Sequence, residues 1–522
     1  MGYILRMRNK YIYITLLAIL GFTPEMLAQS KIQYAPRLVV SITIDQLRTD
    51  YLEAFSPLYS NEGFKRLLDQ GLVFSNASYP FSPIDRASAI ATVVTGVTPS
   101  YHSIVSGQWL DRESLRPVDC TGDKQTPDML LASTITDELK VATEGNAKIY
   151  SVAPSIDAAI LSAGHAADGV FWIDDQSGRW TVSNYFNAQK PQWLPVFNVT
   201  NSPAKEGGTD SWEPMIELSG TFNYFQHTAN TQKPFKHKFS GHNKYAQLKT
   251  SGIINAFVTN MALQCVTQEM LGSDRITDYL NVGYYAGTFN HAAMSECQYE
   301  LQDTYLRLDR ELATLISSIE RKVGAEHVLF VITSTGYSDV ESADYEKYRI
   351  PTGTFYVNRT SNLLNMYFGA LWGQGRYIET CFRNQMFLNH QLLESKRISL
   401  TDASQRAQEF LSQMSGVRNV YSGLQLLVSN NEQTQKIRNG YNPARCGDII
   451  VEVSSGWNIL NESTKDTQLS RASFIQFPII FYGAGTKAGK INDRVTVDRI
   501  APTIAKNIRI RAPNACSAEP LF

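Results

Sequence analysis

The chain has 522 residues, of which 43% are hydrophobic and 19% charged, and its formal net charge is -1. That length exceeds what a single hydrophobic core serves, so one large or two linked domains are expected. The near-neutral balance excludes a basic nucleic-acid footprint and an acidic tail for a charged partner.

Arg6, Arg8 and Lys10 precede an apolar run from Tyr11 to Phe22, with Pro24 and Ala28 beyond it. A basic region, a short apolar core and a small residue at the cut read as a secretory signal peptide over residues 1–28. The alternative is an uncleaved membrane anchor, but the run is short for a span. The expected location is therefore the periplasm or the exterior, with no transmembrane segment after cleavage. Six scattered cysteines follow, at 120, 265, 297, 381, 446 and 516. An oxidising compartment permits disulfides, and six cysteines allow 15 connectivities among which the sequence does not choose. Buried free thiols are the other reading.

The run Arg37 to Asp45 is β-branched, nearly continuous and apolar, and it ends in a carboxylate. It reads as a parallel-sheet strand buried on both faces. Ligands of open α/β sheets bind beyond the carboxyl ends of the strands, where Asp45 sits. Its alternative role is capping the next helix. Glu62 to Leu68 has a helical pattern. Asp85 to Thr95 reads as a helix of small residues, packed close to the sheet, whose start faces the strand ends.

Lys148 to Ala153 predicts a strand and Ala158 to Ala163 a helix. Gly169 to Ile173 and Arg179 to Tyr185 predict a strand pair around a turn. Residues 187–249, polar and aromatic without clear period, read as an elaborate loop layer. Then come a helix over Ile253 to Leu271, a strand over Tyr279 to Ala286, a long helix over Leu301 to Lys322 and a strand over His327 to Thr333. Residues 345–465 change texture and read as an inserted lobe, with a helix around Ala403 to Met414 and a strand over Asp448 to Val453. The core, begun at 29–344, resumes over 466–522 with a strand at Pro478 to Tyr482 and a helix over Val497 to Ile508. The class is α/β: a mostly parallel sheet with helices on both faces and a smaller inserted lobe. The lobe's Tyr345, Tyr348, Phe355, Tyr356, Tyr367, Phe368 and Trp372 suit a contact surface, although packing is the commoner use of aromatics.

Ordered short motifs carry a resemblance. They include Asp45-Gln46-Leu47-Arg48-Thr49-Asp50-Tyr51-Leu52, Gly63-Phe64-Lys65-Arg66-Leu67-Leu68, and Thr95-Gly96 with Pro99 and His102. Further on come Ala163-Gly164-His165, Asp303-Thr304-Tyr305-Leu306-Arg307-Leu308-Asp309, Gly440-Tyr441-Asn442-Pro443, Gly447-Asp448-Ile449, Pro478 to Gly483, and Ile500 to Ile504. The chain resembles the alkaline phosphatase superfamily, and within it the secreted bacterial phosphatases related to nucleotide pyrophosphatase/phosphodiesterases. The resemblance implies the three-layer alkaline-phosphatase-like fold. It also implies two zinc ions that hold the attacking and leaving oxygens, with a Thr or Ser nucleophile at a helix start.

Carried over position by position, that site is expected to be degenerate. Asp45 matches the first metal carboxylate. The nucleophile position, nine residues before Thr95, holds Arg86, which stays protonated. A slipped register would offer Ser82 or Ser88 at the wrong spacing. The second metal's Asp-x-x-x-His falls on Thr288 and Ala292, with His291 one residue off, and a one-residue helical shift turns a side chain by about 100°. Ser334 and Thr335 stand for an Asp-His pair, Gln476 for the last His, and Gly107, Ser155 and Asp157 for substrate contacts. One Asp does not hold two zinc ions.

The leading expectation is a non-catalytic member without cofactor, acting as a scaffold or binding module for a periplasmic or cell-surface protein or an anionic small ligand. Arg86 is then expected to pair with Asp45 in place of metal charge, and to offer a guanidinium at a helix N-terminus to such a ligand. The competing expectation is a phosphate or sulfate ester hydrolase with a rebuilt site of Asp45, Ser334, Thr335 and Asp85, with zinc as the metal if one is used.

Overall fold

The computed structural model describes residues 35–522 apart from 187–189, 206–210, 217–234, 293–295, 339–344, 346–347, 430, 466 and 470–474. The expected signal peptide lies outside the described residues.

Nine strands form the main sheet: β1 (Leu38–Asp45), β2 (Leu72–Ser78), β3 (Ile149–Val152), β4 (Gly169–Ile173), β5 (Trp180–Thr181), β6 (Asp278–Tyr285), β7 (Val328–Ser334), β8 (Phe477–Gly483) and β9 (Gly489–Thr496). Their spatial order is β9-β2-β8-β7-β1-β6-β3-β4-β5. β1 lies at the centre, parallel to β6 on one side and β7 on the other. β6, β3 and β4 continue in parallel, whereas β8 runs antiparallel to both β7 and β2. The alternation of β1 sorts its side chains: Leu38, Val40, Ile42 and Ile44 enter one core and Val39 the other. Asp45 shares the face of Val39.

Helices cover both faces. The Val40 face packs under α3 (Ile254–Gln268) and α4 (Gln298–Val323), through residues such as Met261 and Leu312. The Asp45 face packs under α1 (Arg86–Thr95), α2 (Ile156–Ala163) and α5 (Ile500–Ile508), through Ala89, Ala159 and Ile504. Every α1 residue from Ala87 to Thr95 is buried, which small side chains permit so close to the sheet. A reciprocal capping box between Asp85 and Ser88 starts α1, and Gly96 ends it at φ 69°.

The lobe has its own core, with Leu364, Phe368, Ala407 and Leu411, and a four-stranded sheet ordered Ile378–Phe382, Gln385–Leu388, Ile449–Val453, Val417–Ser422. A three-stranded sheet joins Thr354–Tyr356 to Asn458–Leu460 and Thr467–Leu469. Two arginines tie lobe to core. Arg112 reaches both oxygens of Asp448, and Arg445 donates to the Ser103 carbonyl while lying 4.3 Å over the Trp109 ring. Phe355 and Phe368 are buried, Tyr367 stacks on Phe410 and Trp372 on Phe368. Tyr348 is exposed. Most of these aromatics therefore pack the lobe.

Two expectations are corrected. The Arg179 to Tyr185 strand shrinks to Trp180–Thr181, because Asn198 and Gln125 take the backbone and side-chain groups around it. The loop layer at 187–249 contains the helices Leu194–Asn201 and Lys244–Lys249 in its described part, since Leu194, Phe197, Trp212 and Leu248 are buried in the main core. Of the two readings left open for the cysteines, the structure has the second: all six are free thiols.

Candidate functional site

The end of β1 delivers Asp45 to the C-terminal rim of the sheet, and three side chains supply donors to it. Thr335, just past β7, donates its hydroxyl to Asp45 Oδ1 at 2.8 Å, and itself accepts from the Gln46 amide at 2.9 Å. Arg86, the first residue of α1, places Nη1 3.4 Å from Asp45 Oδ2. The Tyr337 hydroxyl stands 3.5 Å from the same oxygen. The helix after β1, Thr49–Ala54, receives no side-chain cap, so Asp45 does not play the capping role.

Arg86 is held more tightly elsewhere. Its Nε donates to Asp157 Oδ2 at 2.9 Å. Asp157 lies in the first turn of α2, where the helix dipole favours a carboxylate. Burial alone would lower the Arg86 pKa, but Asp157 first and Asp45 second hold it well above its ordinary value. Arg86 is thus a permanent cation shared between two carboxylates.

A cavity of about 260 Å³ opens beside this cluster, lined among others by Asp45, Arg86, Ser155, Thr335 and His291. Lys249, from the helix Lys244–Lys249, also reaches it and pairs with Asp175 at 2.6 Å. Burial lowers the Lys249 pKa, Asp175 opposes that shift, and Arg86 adds to it. Three carboxylates, Asp45, Asp157 and Asp175, therefore face two cations. Sequence reasoning placed Asp45 and Arg86 together but missed Lys249, Asp175 and Tyr337, whose local sequence carries no motif. Asp157 was noted only as a replaced contact.

The other singled-out residues divide. Ser334 is fully buried and donates to the Leu47 carbonyl. Asp85 is spent on its own helix start, accepting from the Ser88 amide and hydroxyl through Oδ1 and from the Gly107 amide through Oδ2. Ser88 is buried in that capping box, and Ser82 lines a different cleft. Gln476 is exposed and donates to the Ser75 carbonyl. Thr288 and Ala292 do not line the cavity, whereas His291 does. The segment Phe289–His291 is a single 3₁₀ turn with Asn290 and His291 at φ 52° and 54°, so the helical rotation expected to remove His291 does not apply. Among the described residues, no three His, Cys, Asp or Glu side chains converge with metal-binding geometry.

A family model described as Type I phosphodiesterase / nucleotide pyrophosphatase matches residues 39–475. The chain belongs to that family. It is 28% identical over 516 residues to "Alkaline phosphatase PafA" of Elizabethkingia meningoseptica, covering 93% of this chain and 94% of that protein. It is also 28% identical over 513 residues to "Alkaline phosphatase PhoV" of Synechococcus elongatus, covering 92% of this chain and 91% of that one. The crystal structure of wild-type PafA superposes with a TM-score of 0.79 at 26% identity, covering 93% of this chain and 98% of that one. This Type I phosphodiesterase family member thus has the α/β architecture of the alkaline phosphatase superfamily, with a large mostly parallel sheet and helices.

Proposed function

We propose that this member of the alkaline phosphatase superfamily has exchanged the two-metal phosphoryl-transfer site for a protein ion cluster and acts outside the cytoplasm as a binding or scaffold protein. The observation that carries the reading is Arg86. A guanidinium tied to Asp157 and Asp45 occupies the position that the family resemblance assigns to the nucleophile. Arginine neither attacks nor deprotonates at ordinary pH. The donor set does not fit zinc. Asp45 already accepts from Thr335, and a fixed cation lies 3.4 Å from its other oxygen, where a divalent ion would be repelled. The same pairing argues against an anion held by Arg86, whose charge is already shared by two carboxylates. Export rests on the basic and apolar pattern before Ala28.

A second reading is kept alive by one contact. The Thr335 hydroxyl lies 2.8 Å from Asp45 in a cavity-lining position, an arrangement in which a carboxylate polarises a hydroxyl for ester hydrolysis. The relatives named alkaline phosphatases make phosphate esters the first substrates to try.

The test measures zinc content together with phosphomonoester and phosphodiester turnover on the purified protein, with zinc added. No bound zinc and no turnover is the expected result. About two zinc ions per chain with turnover would overturn the proposal. Turnover without zinc that is lost in Thr335→Val would establish the second reading.

A further inference from the structure

A second, larger cavity of about 380 Å³ lies between the core and the lobe, within the usual size range of small-molecule sites. Neither Asp45 nor Arg86 lines it. Its apolar wall comes from both bodies: Ile84 precedes α1, while Ile437 and Ile459 belong to the lobe.

The polar side of this cleft is unbalanced. Its lining includes two acids, Asp85 and Glu452. Asp85 is consumed by Ser88 and Gly107, as above. Glu452 Oε2 accepts from Asn419 and from the Tyr421 hydroxyl, which leaves Oε1 at a long 3.6 Å from Arg418. Arg418 is 57% exposed. Arg383 lies in the turn between Ile378–Phe382 and Gln385–Leu388, its guanidinium 5.3 Å over the Phe382 ring, with no carboxylate partner among the described residues. The third guanidinium, Arg48, is bound in bidentate fashion by Asp50.

Sheet register brings Arg383 and Arg418 to one end of the lobe sheet. The strand Ile449–Val453 lies between theirs, with Ile450 opposite Gln385 on one side and Tyr421 on the other. Two strand spacings separate the two arginines, roughly 10 Å. Both line the cleft, Arg383 without a carboxylate partner among the described residues and Arg418 loosely paired with Glu452.

We propose that this cleft binds a small amphiphilic anion. The carboxylate or phosphate head meets Arg383 and Arg418, and the hydrocarbon body lies against Ile84, Ile437 and Ile459. Guanidinium forks match both head groups. A neutral chain alone would leave the cations unanswered, and a bare inorganic anion would leave the apolar wall wet. The inference does not depend on whether metal chemistry has been lost at Asp45.

The test is calorimetric titration of the full chain with octyl phosphate, octanoate, 1-octanol and inorganic phosphate. Octanoate carries no phosphoester, so its result is independent of any phosphatase activity. Octyl phosphate and octanoate are expected to bind at least tenfold more tightly than octanol or phosphate. The double substitution Arg383→Ala with Arg418→Ala, at partly or fully exposed positions, is expected to weaken both amphiphiles at least tenfold with an unchanged melting temperature. Ile437→Trp, which fills the cleft, is expected to abolish binding while leaving thermal unfolding cooperative. Octanol binding as tightly as octanoate, equal binding by the double variant, retained binding in Ile437→Trp, or no binding by either amphiphile would each overturn the proposal.

Discussion

Arg86 sits closer to Asp157, at 2.9 Å, than to Asp45, at 3.4 Å. The guanidinium therefore bridges the first turn of α2 to the end of β1, and it does not simply neutralise the strand-end carboxylate. Asp45 and Asp157 side chains are 8% and 14% exposed, so removing the cation strands two charges in a poorly solvated place. Because Arg86 itself is 31% exposed, the cost of Arg86→Ala is expected below that of a fully buried pair, at about 2–4 kcal/mol. Arg86→Lys keeps the charge but loses the fork, and should recover part of the loss. Urea unfolding reads both, and an Arg86→Ala midpoint equal to wild type would remove the bridge from the account.

Gly63 lies against Asp309. A Cβ added at Gly63 would overlap the Asp309 carboxylate and carbonyl. Asp309 is buried and accepts from the Ser60 and Phe64 amides at 2.8 Å each, so it fastens the start of the helix Phe64–Gln70 to α4. Gly63→Ala is expected to destabilise by about 1–3 kcal/mol through overpacking. Asp309→Asn keeps the size but weakens acceptance from those amides. A Gly63→Ala protein as stable as wild type would mean that the contact is not tight in solution.

That pair explains what the sequence disclosed. Gly63 and Asp309 fall in separate motifs, and the structure joins them. Asp303, in the second motif, accepts from the Trp212 indole, the Met215 amide and Arg307. These motifs are fold-bearing contacts, so they identify the architecture whatever stands at the site. β1 was readable because a strand buried on both faces needs an unbroken apolar run. Residues 187–249 were not, because Leu194, Phe197 and Trp212 reach the core from short pieces with no period to count. At the site, Asp45 and Arg86 were legible through their spacing to known motifs. The Lys249–Asp175 pair was not, since nothing local marks two residues that meet only in the folded chain. For His291, the helical rotation did not apply, because the segment is a 3₁₀ turn with two left-handed residues.

Arg112 and Asp448 join the lobe to the core with unequal roles. Asp448 accepts from Arg112, the Leu388 amide and His390, whereas Arg112 donates otherwise only to the Cys446 carbonyl and its Nε has no partner among the described residues. Asp448→Ala should therefore destabilise more than Arg112→Ala, which is expected to cost about 1–3 kcal/mol. Limited proteolysis is expected to cut the lobe faster in both variants. Equal effects of the two substitutions would mean that the other Asp448 bonds contribute no more than the bond from Arg112 to the Cys446 carbonyl and its contact with the Phe387 ring.

His165 supplies a pH dependence. Its Nδ1 lies 2.7 Å from Asp137 Oδ2, and its Nε2 lies 2.9 Å from the Leu130 carbonyl. Both partners are acceptors, so only the imidazolium satisfies both, because a neutral ring donates from one nitrogen. The hydrogen bond to Asp137 leads in raising the His165 pKa, against burial. A raised folded pKa means that this stabilisation is fully present below the unfolded value of about 6.5 and is lost as pH rises through the folded value. On the Asp137 side, burial alone would raise the carboxyl, but His165 and backbone amides outweigh it and lower the pKa. That contribution is present above the unfolded value of about 3.9 and fades as pH falls through the depressed one. The stability gap between wild type and His165→Gln is therefore expected to be largest between these limits, near about pH 6, and to shrink by about pH 9. Paired urea titrations at the two pH values read it directly, and a gap that does not change with pH would mean that His165 is neutral in the folded protein.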